Sequence, residues 1–177
     1  MDLDKLFKLQ EKNENKIVNI ATIPEDEMGS HNVEELRFLA LHIKIAELAN
    51  LTKCYKYIKV RPNIPKEKLT LRFADVFQYL LSIGNRTGYN VIRYDALPNR
   101  HEKDVIKLFS MLFDQTSQVK KHFFNDNYMQ GVHEYTLLFA LILDLAAALN
   151  IDMKDVEESL DHSKVPFYNI RFEDINL

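Results

Sequence analysis

Two pairs of opposite charges stand at helical spacing in the first half of the chain. Lys44 is followed at i+3 by Glu47, and Arg72 is followed at i+3 by Asp75. Side chains three residues apart lie on one side of a helix, so each pair can form an internal ion pair of about 0.2–0.5 kcal/mol. A second interpretation is a polar site shared by two antiparallel helices, with Glu47 facing Arg72 and Lys44 facing Asp75. The spacing leaves both interpretations open.

Of these four charged residues, Glu47 is the least consistent with a solvated helix surface. It lies on a line of helical spacing whose other members are mostly apolar: Leu36, Ala40, Ile43, Asn50 and Cys54. A carboxylate on a buried apolar stripe costs several kcal/mol unless a cation or a metal neutralises it. We therefore expect Glu47 to lie on the buried side of its helix, beside a cation.

Gln10 and Asn13 form a polar pair at i and i+3 near the N-terminus. Each amide offers a donor and an acceptor, so two amides at this spacing could contact one planar ligand edge. Composition alone favours the simpler interpretation, which is a solvated helix surface.

Several other kinds of site are excluded by residue types and spacing. None of the six histidines has the H-x-x-x-H spacing of a helical zinc site, and no glycine-rich phosphate loop or serine nucleophile motif is present. The one cysteine, Cys54, excludes an internal disulfide and a multi-cysteine metal site. We expect Cys54 to be a small core residue.

Helices are predicted to carry all of these residues, because apolar side chains recur at helical spacing along most of the chain. Asn32 with Glu35 has capping-box spacing, Gly84 is expected to end the third helix, and Asp152 to cap the last. The predicted helices are Asp2–Ile17, Asn32–Ile58, Lys66–Ile83, His101–Phe124, Gly131–Leu149 and Met153–Leu160.

Composition supports an all-α protein, because 177 residues with only four glycines and five prolines hold too few turn formers for a many-stranded sheet. We predict one domain over residues 1–177, a bundle of five to six helices with its core at about 2–160 and an irregular tail at 161–177. A net charge of −3 argues against nucleic-acid binding. The most apolar run, Leu137–Leu149, is too short for a membrane span. The charged N-terminus is unlike a signal peptide, so a cytoplasmic location is expected.

Four segments resemble one known family. These segments are Leu6–Gln10, Ala40–Asn50, Tyr55–Tyr57 and Leu69–Gly84. In this order they are similar to the dimeric, all-α dUTPase family, which belongs to the all-α NTP pyrophosphatases with the MazG-type enzymes. The resemblance is strong over Leu3–Gly84 and faint over Glu134–Leu160. It implies an all-α NTP pyrophosphatase-like bundle and a homodimer.

The resemblance also implies a chemistry, the Mg²⁺-dependent cleavage of dUTP or dUDP to dUMP. Family members hold Mg²⁺ with an E-x-x-E pair on one helix and an E-x-x-D pair on the next. Several carboxylates are needed because a triphosphate requires hard cations that neutralise it and activate water. By this resemblance Gln10 and Asn13 read the uracil edge and Lys56 faces phosphate, and Asn50 joins them in the predicted substrate-binding set.

The chain departs from the family pattern at both carboxylate pairs. Lys44-x-x-Glu47 replaces E-x-x-E, and Arg72-x-x-Asp75 replaces E-x-x-D. Glu47 and Asp75 remain as metal ligands if any metal binds, whereas Lys44 and Arg72 can fill the volume and charge of lost ions. A lysine or an arginine cannot activate water as Mg²⁺ does.

The C-terminal substrate motif of the family is also not reproduced. Asn169 and Arg171 are its candidate remnants, at altered spacing. We therefore expect a dUTPase-like protein with impaired or lost pyrophosphohydrolysis, which still binds a deoxyuridine nucleotide or a protein partner.

Two alternatives stay open. The first is an active dUTP, dUDP or other NTP pyrophosphatase with a reduced Mg²⁺ site, which recruits Glu34, Glu35 or another acid. The second is a structural or regulatory dimer without cofactor or catalysis. Mg²⁺ is expected only if the protein is an active enzyme.

Overall fold

The computed structural model describes residues 1–18, 29–57, 63–98 and 102–161. Within these ranges the chain forms helices and no strand, which confirms the predicted all-α class. In the described parts of the chain, six α-helices follow one another: α1 Leu3–Val18, α2 Ser30–Thr52, α3 Lys66–Thr87, α4 Val105–Phe124, α5 Tyr128–Ala148 and α6 Met153–Leu160. Two 3-10 turns, Tyr89–Val91 and Tyr94–Ala96, connect α3 to α4.

The helices pack so that α3 and α5 each hold more buried residues than any other helix. The helix α3 contacts α1, α2, α5 and α6, and α5 pairs along its length with α4. Aromatic rings join these helices, because Phe77 on α3 packs edge-on against Phe139 on α5 at 5.5 Å between ring centroids. The Tyr135 hydroxyl donates to the Leu80 carbonyl at 2.8 Å and ties α5 to α3.

Polar side chains cap the first turns of α4, α5 and α6 in the ways that capping chemistry favours, and Asn127 does so for α5. Asp104 accepts from the amides of Ile106 and Lys107 at the start of α4. Asp152 accepts from the Lys154 amide and caps α6, as predicted. The predicted Asn32 cap is wrong, because α2 begins at Ser30, two residues earlier, with no side-chain cap and with Gly29 at a φ of 78° before it.

The helix α3 runs through Gly84, where the sequence predicted its end. It continues to Thr87, and Gly88 takes the left-handed conformation at φ 73° that ends it. Gly84 is needed for a different reason, because a Cβ there would overlap the Tyr135 hydroxyl and lie 2.7 Å from Phe7 Cε1. The glycine thus allows α1 and α5 to approach α3 closely.

The helix α5 is long and apolar enough to span a membrane by length and composition, although the apolar run Leu137–Leu149 is shorter than a span. Half of its most apolar window is buried inside the protein. Leu138, Ile142 and Leu145 are fully enclosed by neighbouring helices, as in the core helix of a bundle. The predicted irregular tail, 161–177, lies outside the described residues except for Asp161.

Candidate functional site

The two predicted charge pairs meet where α2 packs beside α3. Lys44 Nζ lies 3.0 Å from Glu47 Oε2, and Arg72 Nη1 lies 3.1 Å from Asp75 Oδ2. Arg72 Nη1 also lies 3.7 Å from Glu47 Oε2, so one guanidinium nitrogen connects the helices. We call these four residues the charged cluster. Both interpretations from the sequence are therefore partly right, since each pair closes within its helix and Glu47 also faces Arg72.

The fourth expected contact is missing from the charged cluster. No ion pair joins Lys44 to Asp75 among the described residues. Lys44 is bonded to Glu47 alone, while Arg72 contacts both carboxylates. The cluster is thus a chain of contacts in the order Lys44, Glu47, Arg72 and Asp75.

The charged cluster lies at the protein surface, and the expected burial of Glu47 is wrong. The side chain of Glu47 is 41% exposed, and the side chain of Arg72 is 46% exposed. Leu36 and Ile43, on the same line as Glu47, are 48% and 46% exposed. The buried side of α2 instead carries Phe38, Leu41, Ile45 and Leu48.

A pocket of about 390 Å³ opens beside the charged cluster. Six residues line it: Glu47, Asn50, Leu51, Lys53, Lys68 and Arg72. Asn50 is exposed, and its Oδ1 accepts from Lys53 Nζ at 2.8 Å and from the Tyr55 hydroxyl at 2.9 Å. Three of the predicted site residues, Glu47, Asn50 and Arg72, therefore line one pocket.

The remaining predicted binding residues lie elsewhere or outside the described chain. Lys56 is exposed in the turn that follows α2, where its amide donates to the Lys53 carbonyl at 3.1 Å. Asn169 and Arg171 fall within 162–177, outside the described residues. Cys54 is buried, as expected of a core residue.

Gln10 and Asn13 are buried, contrary to the solvated surface that composition favoured. Asn13 Nδ2 donates to the Leu160 carbonyl at 2.8 Å and so joins α1 to the end of α6. Gln10 Nε2 donates to Glu14 Oε1 at 2.9 Å, but Gln10 Oε1 is enclosed without a hydrogen-bond partner. A buried acceptor without a donor is costly, and it marks a place where a ligand donor would be favourable.

A second charged network, which the sequence analysis did not single out, joins α1, α2 and α3. Arg37 Nη1 donates to Ser82 Oγ at 2.6 Å and lies 3.7 Å from Glu14 Oε2. Glu34 contacts Arg37 and also Arg86, whose Nη2 lies 3.1 Å from Glu34 Oε1. The i and i+3 spacing of Glu34 and Arg37 was the available signal. Glu14 is bonded to Gln10, so this network leads to the unsatisfied amide oxygen.

The carboxylates of the charged cluster do not fit a Mg²⁺ site. Mg²⁺ requires close octahedral coordination by oxygen, and cations compete with it for those oxygens. Glu47 Oε2 and Asp75 Oδ2 are each within 3.1 Å of a lysine or arginine nitrogen. In the described part of the chain, no three side chains of His, Cys, Asp or Glu converge as a metal site would require.

Within the described ranges the protein is an all-helical bundle in which two adjacent helices each carry a charged pair, which agrees with the fold that the sequence resemblance implies. Comparison with known families then gives the particular family. The family model described as dUTPase matches residues 2–163, and the chain belongs to that family. No curated protein and no solved structure matches the chain.

Proposed function

We propose that this member of the dUTPase family has lost, or strongly reduced, the Mg²⁺-dependent hydrolysis of dUTP to dUMP. The observation that carries the proposal is the position of Arg72, whose Nη1 contacts carboxylates on both helices at 3.7 and 3.1 Å. The guanidinium thus takes the place between the helices where the family pattern requires a cation held by acids.

The replacement of metal by arginine changes the chemistry of the site. Mg²⁺ can bind a water and lower the pKa of that water, whereas an arginine remains protonated and cannot coordinate the nucleophile. Lys44 Nζ further occupies Glu47 Oε2 at 3.0 Å. The charged cluster can therefore hold two helices together, but it lacks a group that activates water.

An active enzyme with a reduced metal site has less support. Glu34 and Glu35, the acids considered for recruitment, are paired with Arg86 and Lys120. Both lie on α2 at least twelve residues before Glu47, which is about 18 Å along a helix axis. Neither can join Glu47 at one ion without breaking the helix.

The amides of α1 support the binding of a nucleobase at Gln10 more than at Asn13. Gln10 Oε1 is a buried acceptor without a partner, which could take a hydrogen bond from an N–H of uracil. Asn13 is already bonded to the Leu160 carbonyl, which favours a structural role. We therefore propose that Gln10 contributes to deoxyuridine binding.

We also propose that the protein is a homodimer, and one surface supports this. Leu36, Leu39 and Ile43 form a stripe along α2, spaced at i, i+3 and i+7, and are 48%, 60% and 46% exposed. We call these three residues the α2 stripe. A two-fold axis across it would pack the stripe against its own copy, since a symmetric dimer uses the same patch on both subunits.

The decisive experiment measures pyrophosphate released from dUTP with and without Mg²⁺. We expect background release from the natural sequence and Mg²⁺-dependent thermal stabilisation of Lys44→Glu/Arg72→Glu, because the double variant restores four carboxylates. The control is Lys44→Gln/Arg72→Gln, which removes the same cations without adding ligands and should bind no Mg²⁺.

Two results would contradict the proposal. Mg²⁺-stimulated release by the natural sequence, abolished by Glu47→Gln, would show a working metal site. Absence of Mg²⁺ binding by the restored variant would show that the two helices do not present their charges to a common volume.

A further inference from the structure

The charged residues that line the pocket beside the charged cluster are mainly cations. Lys53, Lys68 and Arg72 supply three positive charges, and Glu47 is the one acid among the lining residues. The resemblance implies carboxylates at the positions of Lys44 and Arg72, so this chain reverses the sign of charge there. A pocket that repels Mg²⁺ attracts the anion that Mg²⁺ would otherwise bridge.

We propose that this pocket binds a polyphosphate group directly, without a metal ion. The inference rests on the proposed function, since it takes the loss of the Mg²⁺ site as its starting point. The ligand class is a diphosphate or triphosphate, either inorganic or carried by a nucleotide.

Arg72 is suited to bind an anion because its contacts fix it without using all its donors. Its ion pairs in the described part of the chain use Nη1 alone, with Asp75 at 3.1 Å and Glu47 at 3.7 Å. A guanidinium has five N–H donors in a rigid fork, so the nitrogens that make no contact keep theirs for phosphate oxygens. The two carboxylates therefore orient the guanidinium and reduce the flexibility it would lose on binding.

Lys68 adds a second cation on the same helix, one turn before Arg72. It is exposed, and within the described ranges its side chain makes no ion pair or hydrogen bond. Lys53, at the end of α2, is held near the pocket by its bond to Asn50 at 2.8 Å. Cations from both helices thus converge on one volume, which is what a ligand with several charged oxygens requires.

The size and charge of the pocket favour a compact anion over a nucleic-acid strand. A volume of about 390 Å³ holds a di- or triphosphate with part of a nucleoside. The whole chain carries a net charge of −3, which does not favour binding of a polyanionic strand.

We expect Mg²⁺ to weaken polyphosphate binding to this pocket, which is the opposite of its effect in a metal-dependent enzyme. Mg²⁺ bound to a polyphosphate reduces its charge and occupies its oxygens. We therefore expect tripolyphosphate to bind more tightly in EDTA than in excess Mg²⁺. Measurement by titration calorimetry on the full chain provides the test, with tripolyphosphate, dUTP and deoxyuridine as separate ligands.

The variants Lys68→Ala and Arg72→Ala should each weaken tripolyphosphate binding by about tenfold, because each removes a charge-assisted hydrogen bond. The matched control is Lys12→Ala, which removes an exposed lysine from α1 and should leave the affinity unchanged. Circular dichroism of each variant verifies that the helices are retained. Tighter binding of dUTP than of tripolyphosphate would identify a nucleotide as the source of the anion, and equal binding an inorganic one.

The inference is overturned if tripolyphosphate fails to bind in EDTA, if its binding needs Mg²⁺, or if all three variants weaken it equally. These outcomes are separate from the test of hydrolysis. Pyrophosphate release with Mg²⁺ together with tight binding in EDTA would refute the lost activity and leave the anion site standing. Background release of pyrophosphate without any tripolyphosphate binding in EDTA would support the lost activity and refute the anion site.

Discussion

Asn13 shows how one buried amide can connect the two ends of the described bundle. It is only 2% exposed, and its Nδ2 donates to the carbonyl of Leu160, the last residue of α6. A carbonyl at a helix C-terminus has no partner within its own helix. The amide supplies one, so it joins α1 to α6 and satisfies a backbone group at the same time.

Replacing Asn13 should therefore destabilise the protein although no apolar contact is lost. We expect Asn13→Ala to lower the free energy of unfolding by about 1–3 kcal/mol, because the Leu160 carbonyl is left buried without a donor. Urea denaturation measures the change. The control is Asn15→Ala, an exposed amide on the same helix, which should change stability by less than about 0.5 kcal/mol. Equal effects of the two variants would contradict the role assigned to Asn13.

The spacing of residues predicted the pairing of charges better than their burial. Glu47 and Arg72 were expected to face each other as one of two interpretations, and they do so at 3.7 Å. The burial of Gln10 and Asn13 could not be read from composition, because it depends on α3 and α6 covering α1. An amide that is buried by distant helices looks the same in sequence as one that faces water.

At the scale of helices, hydrogen bonds to Glu134 join α5 to α4. Gln115 Nε2 on α4 donates to Glu134 Oε2 at 2.6 Å and to its backbone carbonyl at 2.9 Å. Gln130 Nε2 on α5 donates to Glu134 Oε1 at 2.6 Å. Burial raises the pKa of the Glu134 carboxyl, but the bonds from the two amides, together with nearby His133 and His122, outweigh it, and the pKa is lowered overall.

This lowered pKa predicts a loss of stability in acid. A carboxyl whose folded pKa lies below its unfolded value stabilises the folded state above the unfolded pKa, and this contribution is lost as the pH falls through the folded pKa. We expect the free energy of unfolding to fall less steeply with acidification in Glu134→Gln than in the natural sequence, measured by urea denaturation across the acid range. Glu11→Gln, an exposed glutamate on α1, serves as the control and should keep the natural slope. Identical slopes in all three proteins would refute the prediction.

Helix positions were predictable because apolar periodicity is strong, and the errors have identifiable causes. The sequence placed α6 at its observed residues, Met153–Leu160. It misjudged Gly84 because a glycine can either end a helix or admit a neighbouring side chain, and only the packed Tyr135 distinguishes these. It misjudged the buried side of α2 because apolar residues occupy both sides of that helix. One side faces the core, and the other carries the α2 stripe.

At the scale of the whole molecule, one patch of uncovered apolar surface lies on α2. Aromatic side chains of the second half, among them Phe109, Tyr135 and Phe139, are buried in the core. The α2 stripe instead presents three large aliphatic side chains to solvent. Burying each of these half-exposed side chains contributes about 1 kcal/mol to the free energy of association. A two-fold contact buries each side chain on both copies, so each contribution is made twice.

A dimer formed through the α2 stripe should dissociate when a charge is placed within it. We expect the natural sequence to sediment as a dimer and Leu39→Glu/Ile43→Glu as a monomer, because pairing across the two-fold axis would bring the new carboxylates of both copies into one apolar contact. Met129→Glu is the matched control, since Met129 is 78% exposed on α5 outside the stripe, and it should remain dimeric. Sedimentation velocity over a range of protein concentrations distinguishes the species, and circular dichroism verifies that the monomer keeps its helices. A natural sequence that is monomeric at every concentration, or a double variant that stays dimeric, would show that the stripe does not hold two copies together.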